Sequence, residues 1–125
     1  GSELRTRLSS LADAGAGEAI KLVELPFAEA DHVYHLFVVR SANRDALRAH
    51  LEQQGVASAI HYPSPIHRTE AYAHLGLVPG SLPVSERLSE QICSLPLFPG
   101  MTDDELSQVS QAMLSFAKAS TAAQR

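Results

Sequence analysis

The strongest strand signal in this sequence is the stretch HVYHLFVVR, residues 32–40. Valine, phenylalanine and tyrosine are enriched in β-strands because their side chains pack well on a pleated, half-buried surface. A shorter apolar run over residues 20–25 predicts a strand before it, and residues 56–62 predict a third strand after it. Pro63 and Pro65 lack the N–H group that a sheet ladder needs, so the chain is expected to leave the sheet there.

Apolar residues at helical spacing separate and follow these strands. The second predicted helix has Asn43 as its N-cap and Gly55 at the position after its end, where glycine is common. The last helix begins after Thr102, and Glu105 stands three residues on, as a capping box requires. The predicted helices cover residues 4–14, 44–54, 69–75, 83–92 and 103–117. Their predicted buried faces contain Leu4, Leu8, Leu11, Ala46, Leu47, Leu51, Leu106, Val109, Met113, Leu114 and Phe116.

The order of these elements predicts an α+β fold, with a small sheet and helices packed on one face. Residues 94–98, bounded by Pro96 and Pro99, are expected to form an edge strand or an extended segment. The chain of 125 residues is long enough for one domain. We divide it into residues 1–18, with Gly1 and Ser2 as a tag remnant before a leading helix, residues 19–117 as the domain, and residues 118–125 as a frayed tail.

Composition excludes several classes of protein. The net charge is −4 and no basic stripe is visible, so nucleic acid is not an expected partner. No apolar run approaches the roughly 20 residues that span a bilayer, so no membrane partner is expected. The single cysteine, Cys93, cannot form an internal disulfide, and no signal segment precedes the first helix. These features fit a cytoplasmic protein.

The segment IHYPSPIHR, residues 60–68, has the character of a binding loop. His61 and Tyr62 are the last two residues of the third predicted strand. Pro63 and Pro65 then stiffen the chain before His67, because the proline ring fixes φ near −65°. A rigid loop at a strand end holds polar groups in a fixed geometry, which favours binding. The alternative is a pair of partly buried imidazoles that satisfy backbone groups around a turn.

No metal or catalytic centre is expected in this chain. The six histidines lack the spacing of a zinc site, and His32 and His35 would face opposite sides of a strand. Cys93 is expected to be a buried structural thiol. Lys21 and Lys118 are the only lysines, and neither is in a setting that desolvates its amine as a Schiff base requires.

Arginine residues at the end of the strongest predicted strand and in the next helix are expected to form a solvated face. They are Arg40, Arg44 and Arg48. Arg40 ends the strongest strand and could also reach a partner.

Four blocks of the sequence together resemble the DegT/DnrJ/StrS sugar aminotransferases. They are HVYHLFVVR, NRDALRAHLEQQGV, IHYPSPIHRTEAYAHLG and LPVSERLSEQICSLPLFPGMTDDEL, and they stand in the order and spacing of that family over roughly residues 19–117. The resemblance implies the small C-terminal domain, with a mostly antiparallel sheet, of a fold-type I enzyme that uses pyridoxal phosphate (PLP). Such enzymes are usually homodimers that move an amino group, commonly from glutamate, to a keto sugar linked to a nucleotide.

The resemblance also implies a division of labour within the complete enzyme. The large domain carries the PLP site and the Schiff-base lysine, so we expect no catalytic or cofactor-binding residue here, and no activity or PLP binding by this chain alone. The block IHYPSPIH places His61, Tyr62 and His67 near the sugar-nucleotide substrate. A domain that belongs against a large domain and a second subunit should expose an apolar surface.

Two other functions remain open at this point. The chain is also compatible with a free-standing, non-catalytic module that binds sugar nucleotides. A structural or assembly domain, whose histidines bind no ligand, is the other alternative.

Overall fold

The computed structural model describes residues 2–13, 19–23 and 32–122, and the side chains of residues 10–13 fall outside that description. Within these ranges the fold is α+β, with a small antiparallel sheet and helices, as the sequence predicts. The elements in chain order are α1 (Ser2–Asp13), β1 (Lys21–Leu22), β2 (Phe37–Arg40), α2 (Arg44–Gln53), the 3-10 helices Ile66–Arg68 and Glu70–Leu75, α3 (Pro83–Gln91), β3 (Ile92–Leu95) and α4 (Asp103–Ala122).

The strand β2 lies between β1 and β3, and both pairings are antiparallel. Lys21 of β1 lies opposite Arg40, and Phe37 lies opposite Leu95 of β3. Phe37 and Val39 are buried, whereas the alternate residues of β2 are only half-buried. Since side chains alternate across a strand, one face of the sheet covers the core.

The core lies between this face and the helices, and α4 contacts both α1 and α2. Leu47 and Leu51 are fully buried, as predicted, but Ala46 is exposed and Leu114 is half-buried. The predicted core residue Leu11 is among the side chains outside the description. The buried cluster contains Leu4, Leu8, Ile20, Tyr34, Phe37, Val39, Leu47, Leu51, Val56, Cys93, Leu95, Leu106, Val109, Ala112, Met113, Phe116 and Ala117.

The capping box at the start of α4 is confirmed. The Thr102 N–H donates to Glu105 Oε2 at 2.7 Å, and the Glu105 N–H donates to Thr102 Oγ1 at 3.3 Å. The bond from the Thr102 N–H, followed by one that the Thr102 hydroxyl donates to the same carboxylate oxygen, lowers the pKa of Glu105. At its other end α4 continues through Ala122, so the residues from Lys118 that were expected to fray are helical up to that point.

The predicted strand over residues 56–62 is wrong. The backbone of Ala59 exchanges two hydrogen bonds with Ser94, and this isolated bridge is the only ladder contact described for the segment. Two neighbouring backbone groups have other partners. The Val56 N–H donates to the Leu51 carbonyl at the end of α2, and the Ser58 carbonyl accepts from the Arg48 guanidinium. Backbone groups used in this way cannot also build a ladder.

Other boundaries also move. The strand predicted over residues 32–40 begins only at Phe37, because Tyr34 has a φ of 50° and its N–H donates to His32 Nδ1. The strand predicted over residues 94–98 runs instead from Ile92 to Leu95. Asn43 occupies the N-cap position of α2, but its side chain forms no capping hydrogen bond.

Within the described ranges, no helix combines the length and apolar character that crossing a membrane requires.

Candidate functional site

The bridge between Ala59 and Ser94 anchors the chain just before the predicted binding loop. Two residues later, His61 is half-buried, and its Nδ1 lies in a hydrogen bond 2.9 Å from the Oγ of Ser94. This bond fixes the orientation of the imidazole. Among the described residues nothing forms a hydrogen bond with Nε2 of His61.

Tyr62 lies beside His61 but faces solvent, with 71% of its surface exposed. The two rings meet edge to face, with centroids 5.6 Å apart and an interplanar angle of 89°. Tyrosine combines a large apolar face with a hydroxyl that donates and accepts hydrogen bonds. His61 and Tyr62 therefore form an adjacent pair of groups suited to a polar, ring-containing ligand.

His67 lies inside the protein, with only 8% of its surface exposed. Its Nε2 is 3.0 Å from Oε1 of Glu86, which lies in the first turn of α3. The Glu86 carboxylate also accepts the N–H groups of Gly80 at 2.7 Å and Leu82 at 3.3 Å. The hydrogen bond from Gly80, followed by that from His67, holds the pKa of Glu86 below its usual value. Glu86 thus ties the loop containing His67 to the turn before α3.

The three predicted binding residues do not form one surface cluster. The structure brings His61 and Tyr62 together at the surface, and it places His67 in a buried pair. Sequence reasoning missed Ser94 and Glu86, which orient these groups. A serine within the apolar strand ICSL was one available signal, because a buried hydroxyl needs a partner.

Replacing Glu86 with glutamine should lower the melting temperature at pH 7 by a few degrees, because Gly80, Leu82 and His67 lose a charged acceptor. A lowered carboxyl pKa stabilises the fold above the usual value of 4.5, and this contribution is lost as the pH falls through the folded-state pKa. The difference from the native chain should therefore shrink below about pH 4.5. Thermal melts between pH 3 and 7 measure it.

Glu90→Gln is the matched control, since Glu90 is an exposed carboxylate on the same helix. If both variants melt alike across this pH range, the Glu86 bonds do not stabilise the loop.

Cys93 is fully buried in β3, as predicted, and burial raises the pKa of its thiol to about 11. A thiol with this pKa is protonated at neutral pH and is a poor nucleophile.

The arginines predicted to form a solvated face are instead half-buried. Arg44 donates to the Ser89 carbonyl at 2.7 Å and so joins α2 to α3. Arg48 donates to Ser58, and Arg40 donates to the side chain of Gln91. These three arginines are half-buried because their guanidinium groups donate hydrogen bonds to neighbouring backbone and side-chain acceptors.

Across residues 2–13, 19–23 and 32–122, no group of three or more histidine, cysteine, aspartate or glutamate side chains is arranged to hold a metal ion. His32 lies before β2 rather than within it, and its Nδ1 accepts the Tyr34 N–H.

Comparison with known proteins gives consistent matches. The chain is 49% identical over 80 residues to the erythromycin biosynthesis sensory transduction protein EryC1 of Saccharopolyspora erythraea, which covers 64% of this chain and 22% of that protein. It is 39% identical over 90 residues to a dTDP-3-amino-3,4,6-trideoxy-alpha-D-glucose transaminase of Streptomyces venezuelae, covering 72% of this chain and 24% of the enzyme. The chain thus spans about a quarter of the length of these relatives.

The fold matches solved aminotransferase structures as well. The crystal structure of S. venezuelae DesV in complex with a ketimine intermediate superimposes with a TM-score of 0.76 at 35% identity, covering 92% of this chain and 31% of DesV. An aminotransferase of Brucella abortus superimposes with a TM-score of 0.75 at 32% identity, covering 91% of this chain and 29% of that one. The model of the DegT/DnrJ/EryC1/StrS aminotransferase family matches residues 5–114. This chain belongs to that family.

Proposed function

We propose that this chain is the small C-terminal domain of a PLP-dependent aminotransferase and forms one wall of its substrate cleft. The amino acceptor is a keto sugar linked to a nucleotide. Family membership supports this proposal, as do relatives named as transaminases of dTDP-linked and UDP-linked sugars. Residues 19–117 are the proposed domain, and the remainder of the enzyme holds the cofactor.

The observation that carries the proposal is the concentration of exposed apolar side chains around the His61 loop. Within the described part of the chain, most of the large apolar side chains that are exposed lie between residues 62 and 84, and we call this range the apolar segment. Soluble monomers seldom expose large contiguous apolar surface. The large domain of the same enzyme, within a homodimer, is the proposed cover. The residues concerned are Tyr62, Ile66, Tyr72, Leu75, Leu77, Val78, Leu82 and Val84.

Within this wall we assign different tasks to the three predicted binding residues. His61 and Tyr62 present an imidazole nitrogen and a phenol to the cleft, and the hydroxyl and phosphate groups of a sugar nucleotide are suitable partners for both. His67 is buried against Glu86, so its proposed task is to position the loop for the other two.

The described residues do not fit PLP itself. When bound, PLP supplies the electron sink and carries the amino group, and it needs a covalent, desolvated lysine. Lys21 lies exposed on β1 and Lys118 lies exposed on α4. An exposed residue does not supply the desolvated amine that a Schiff base requires, so the cofactor site is assigned to the remainder of the enzyme.

A complementation experiment tests this division. The 125-residue chain, a polypeptide with the preceding part of the enzyme, and the two combined are each incubated with PLP, glutamate and a nucleotide-linked keto sugar. We expect amino-sugar formation only from the combination. Mass spectrometry after borohydride reduction should find no PLP on either lysine of this chain.

Stoichiometric PLP attachment to Lys21 or Lys118 would contradict the proposal. So would full transaminase activity of the preceding part alone, since the cleft would then need no wall from this chain.

A further inference from the structure

A cavity of about 180 Å³ lies where the sheet meets the start of α2 and the end of α3. Its volume is several times the roughly 30 Å³ that one water occupies in the liquid, so it has room for a polyatomic ion. It is lined by Lys21, Arg40, Ser41, Ala42, Arg87 and Gln91.

The lining of this cavity is cationic, although the whole chain carries a net charge of −4. Lys21, Arg40 and Arg87 contribute positive charges, and none of the lining residues that the structure describes is a carboxylate. Lys21 and Arg40 lie directly opposite each other in the β1–β2 pairing.

Two of these side chains retain unused donors. Arg40 uses one terminal nitrogen to donate to Gln91 Oε1 at 3.1 Å, and its buried Nε has no hydrogen-bond partner among the described residues. Arg87 is exposed, and within the described part of the chain it forms no hydrogen bond or ion pair. Arginine presents its donors in a planar fork that matches phosphate oxygens.

The walls of the cavity are held together by backbone and side-chain bonds. The Ser41 N–H donates to the Gln91 carbonyl at 2.9 Å, and Arg40 is paired with Ile92 in the sheet. The side-chain bond from Arg40 to Gln91 adds a second link across the same wall. A rigid frame lowers the entropy cost of ordering the cationic groups around a ligand.

We propose that this cavity binds a phosphate group. Its charge, size and arginine donors suit the oxyanion chemistry shared by inorganic phosphate, pyrophosphate and the diphosphate of a nucleotide. The cavity is lined by neither His61 nor Tyr62, so it is a different site from the substrate wall proposed above. A failure of one proposal would not contradict the other.

The test is a titration of the ¹⁵N-labelled 125-residue chain with inorganic phosphate at constant ionic strength, followed by amide NMR shifts. We expect saturable binding with a Kd in the millimolar range and the largest shifts at Ser41, Ala42 and Gln91. Arg87→Ala should weaken binding by about tenfold or more, since a charge-assisted hydrogen bond is lost. Arg87 is exposed, so the variant should remain folded.

Lys118→Ala is the matched control, because it removes one positive charge from an exposed position on α4, outside the cavity. It should change the Kd by less than about twofold. Unsaturable shifts spread over all exposed cations, or equal affinity of the Arg87→Ala variant and the native chain, would overturn the proposal.

Pyrophosphate and a nucleoside diphosphate serve as further probes. If both bind alike, the cavity recognises the phosphate groups alone. If the nucleoside diphosphate binds more tightly, and that preference is also lost in Arg87→Ala, a nucleotide is the source of the phosphate. Both results support the site, whereas binding of either probe with no shift at Ser41, Ala42 or Gln91 contradicts it.

Discussion

Replacing Leu51 with alanine is expected to lower the free energy of unfolding by about 2–5 kcal/mol. Leu51 is fully buried on α2, the helix that packs against α4. Its truncation removes apolar contacts and leaves a cavity that close-packed neighbours can fill only in part. A domain of this kind has a total stability of roughly 5–15 kcal/mol, so the loss is a large fraction of the whole.

Urea denaturation of the 125-residue chain measures this effect, and the matched control is Leu75→Ala. Leu75 undergoes the same chemical change at a site with 52% of its surface exposed, so its effect should stay within about 0.5 kcal/mol. Similar losses in the two variants would show that Leu51 is not part of the stabilising core.

Structure that depends on neighbouring residues could be predicted from the sequence. The Thr102–Glu105 box involves groups only three residues apart, and its geometry follows from the residue types alone. Gly55 and Gly76 end their helices with φ values of 72° and 65°, as expected for glycine at helix ends. In these cases local chemistry and the final fold agree.

The segment over residues 56–62 shows where such prediction stops. Its β-branched and aromatic residues suit a strand, but the partners of its backbone lie elsewhere in the fold. The Arg48 guanidinium donates a hydrogen bond to the Ser58 carbonyl, and the Val56 N–H donates to the Leu51 carbonyl at the end of α2. Tertiary contacts of this kind override strand propensity, which itself depends strongly on context.

The candidate site divides in the same way. The rigid loop carrying His61 and Tyr62 could be predicted, because two prolines follow a run with strand character. The bonds that orient its histidines join residues far apart in sequence, with His61 33 positions from Ser94 and His67 19 positions from Glu86. The residue pattern alone does not show which distant side chain comes within about 3 Å of a histidine. The burial of His67 against Glu86 could therefore be found only from the three-dimensional structure.

In the aminotransferase proposed above, His61→Ala is expected to reduce kcat/KM for a nucleotide-linked keto sugar by roughly ten- to hundredfold while PLP remains bound. His61 is held by Ser94 through Nδ1, and its Nε2 forms no hydrogen bond with any other residue that the structure describes. A group oriented in advance loses little entropy on binding. One hydrogen bond to a charged group contributes about 1.5–3 kcal/mol, which corresponds to this loss of rate.

Two further variants separate binding from structure. Ser94→Ala keeps the imidazole but removes its anchor, so it should reduce kcat/KM less than His61→Ala does. His35→Ala makes the same histidine-to-alanine change at an exposed position before β2, outside the apolar segment, and should leave kcat/KM unchanged. Melting temperature and kcat/KM are measured on the same preparations. A His61→Ala enzyme that melts several degrees lower but keeps native kcat/KM would show that His61 stabilises the loop and does not contact the substrate.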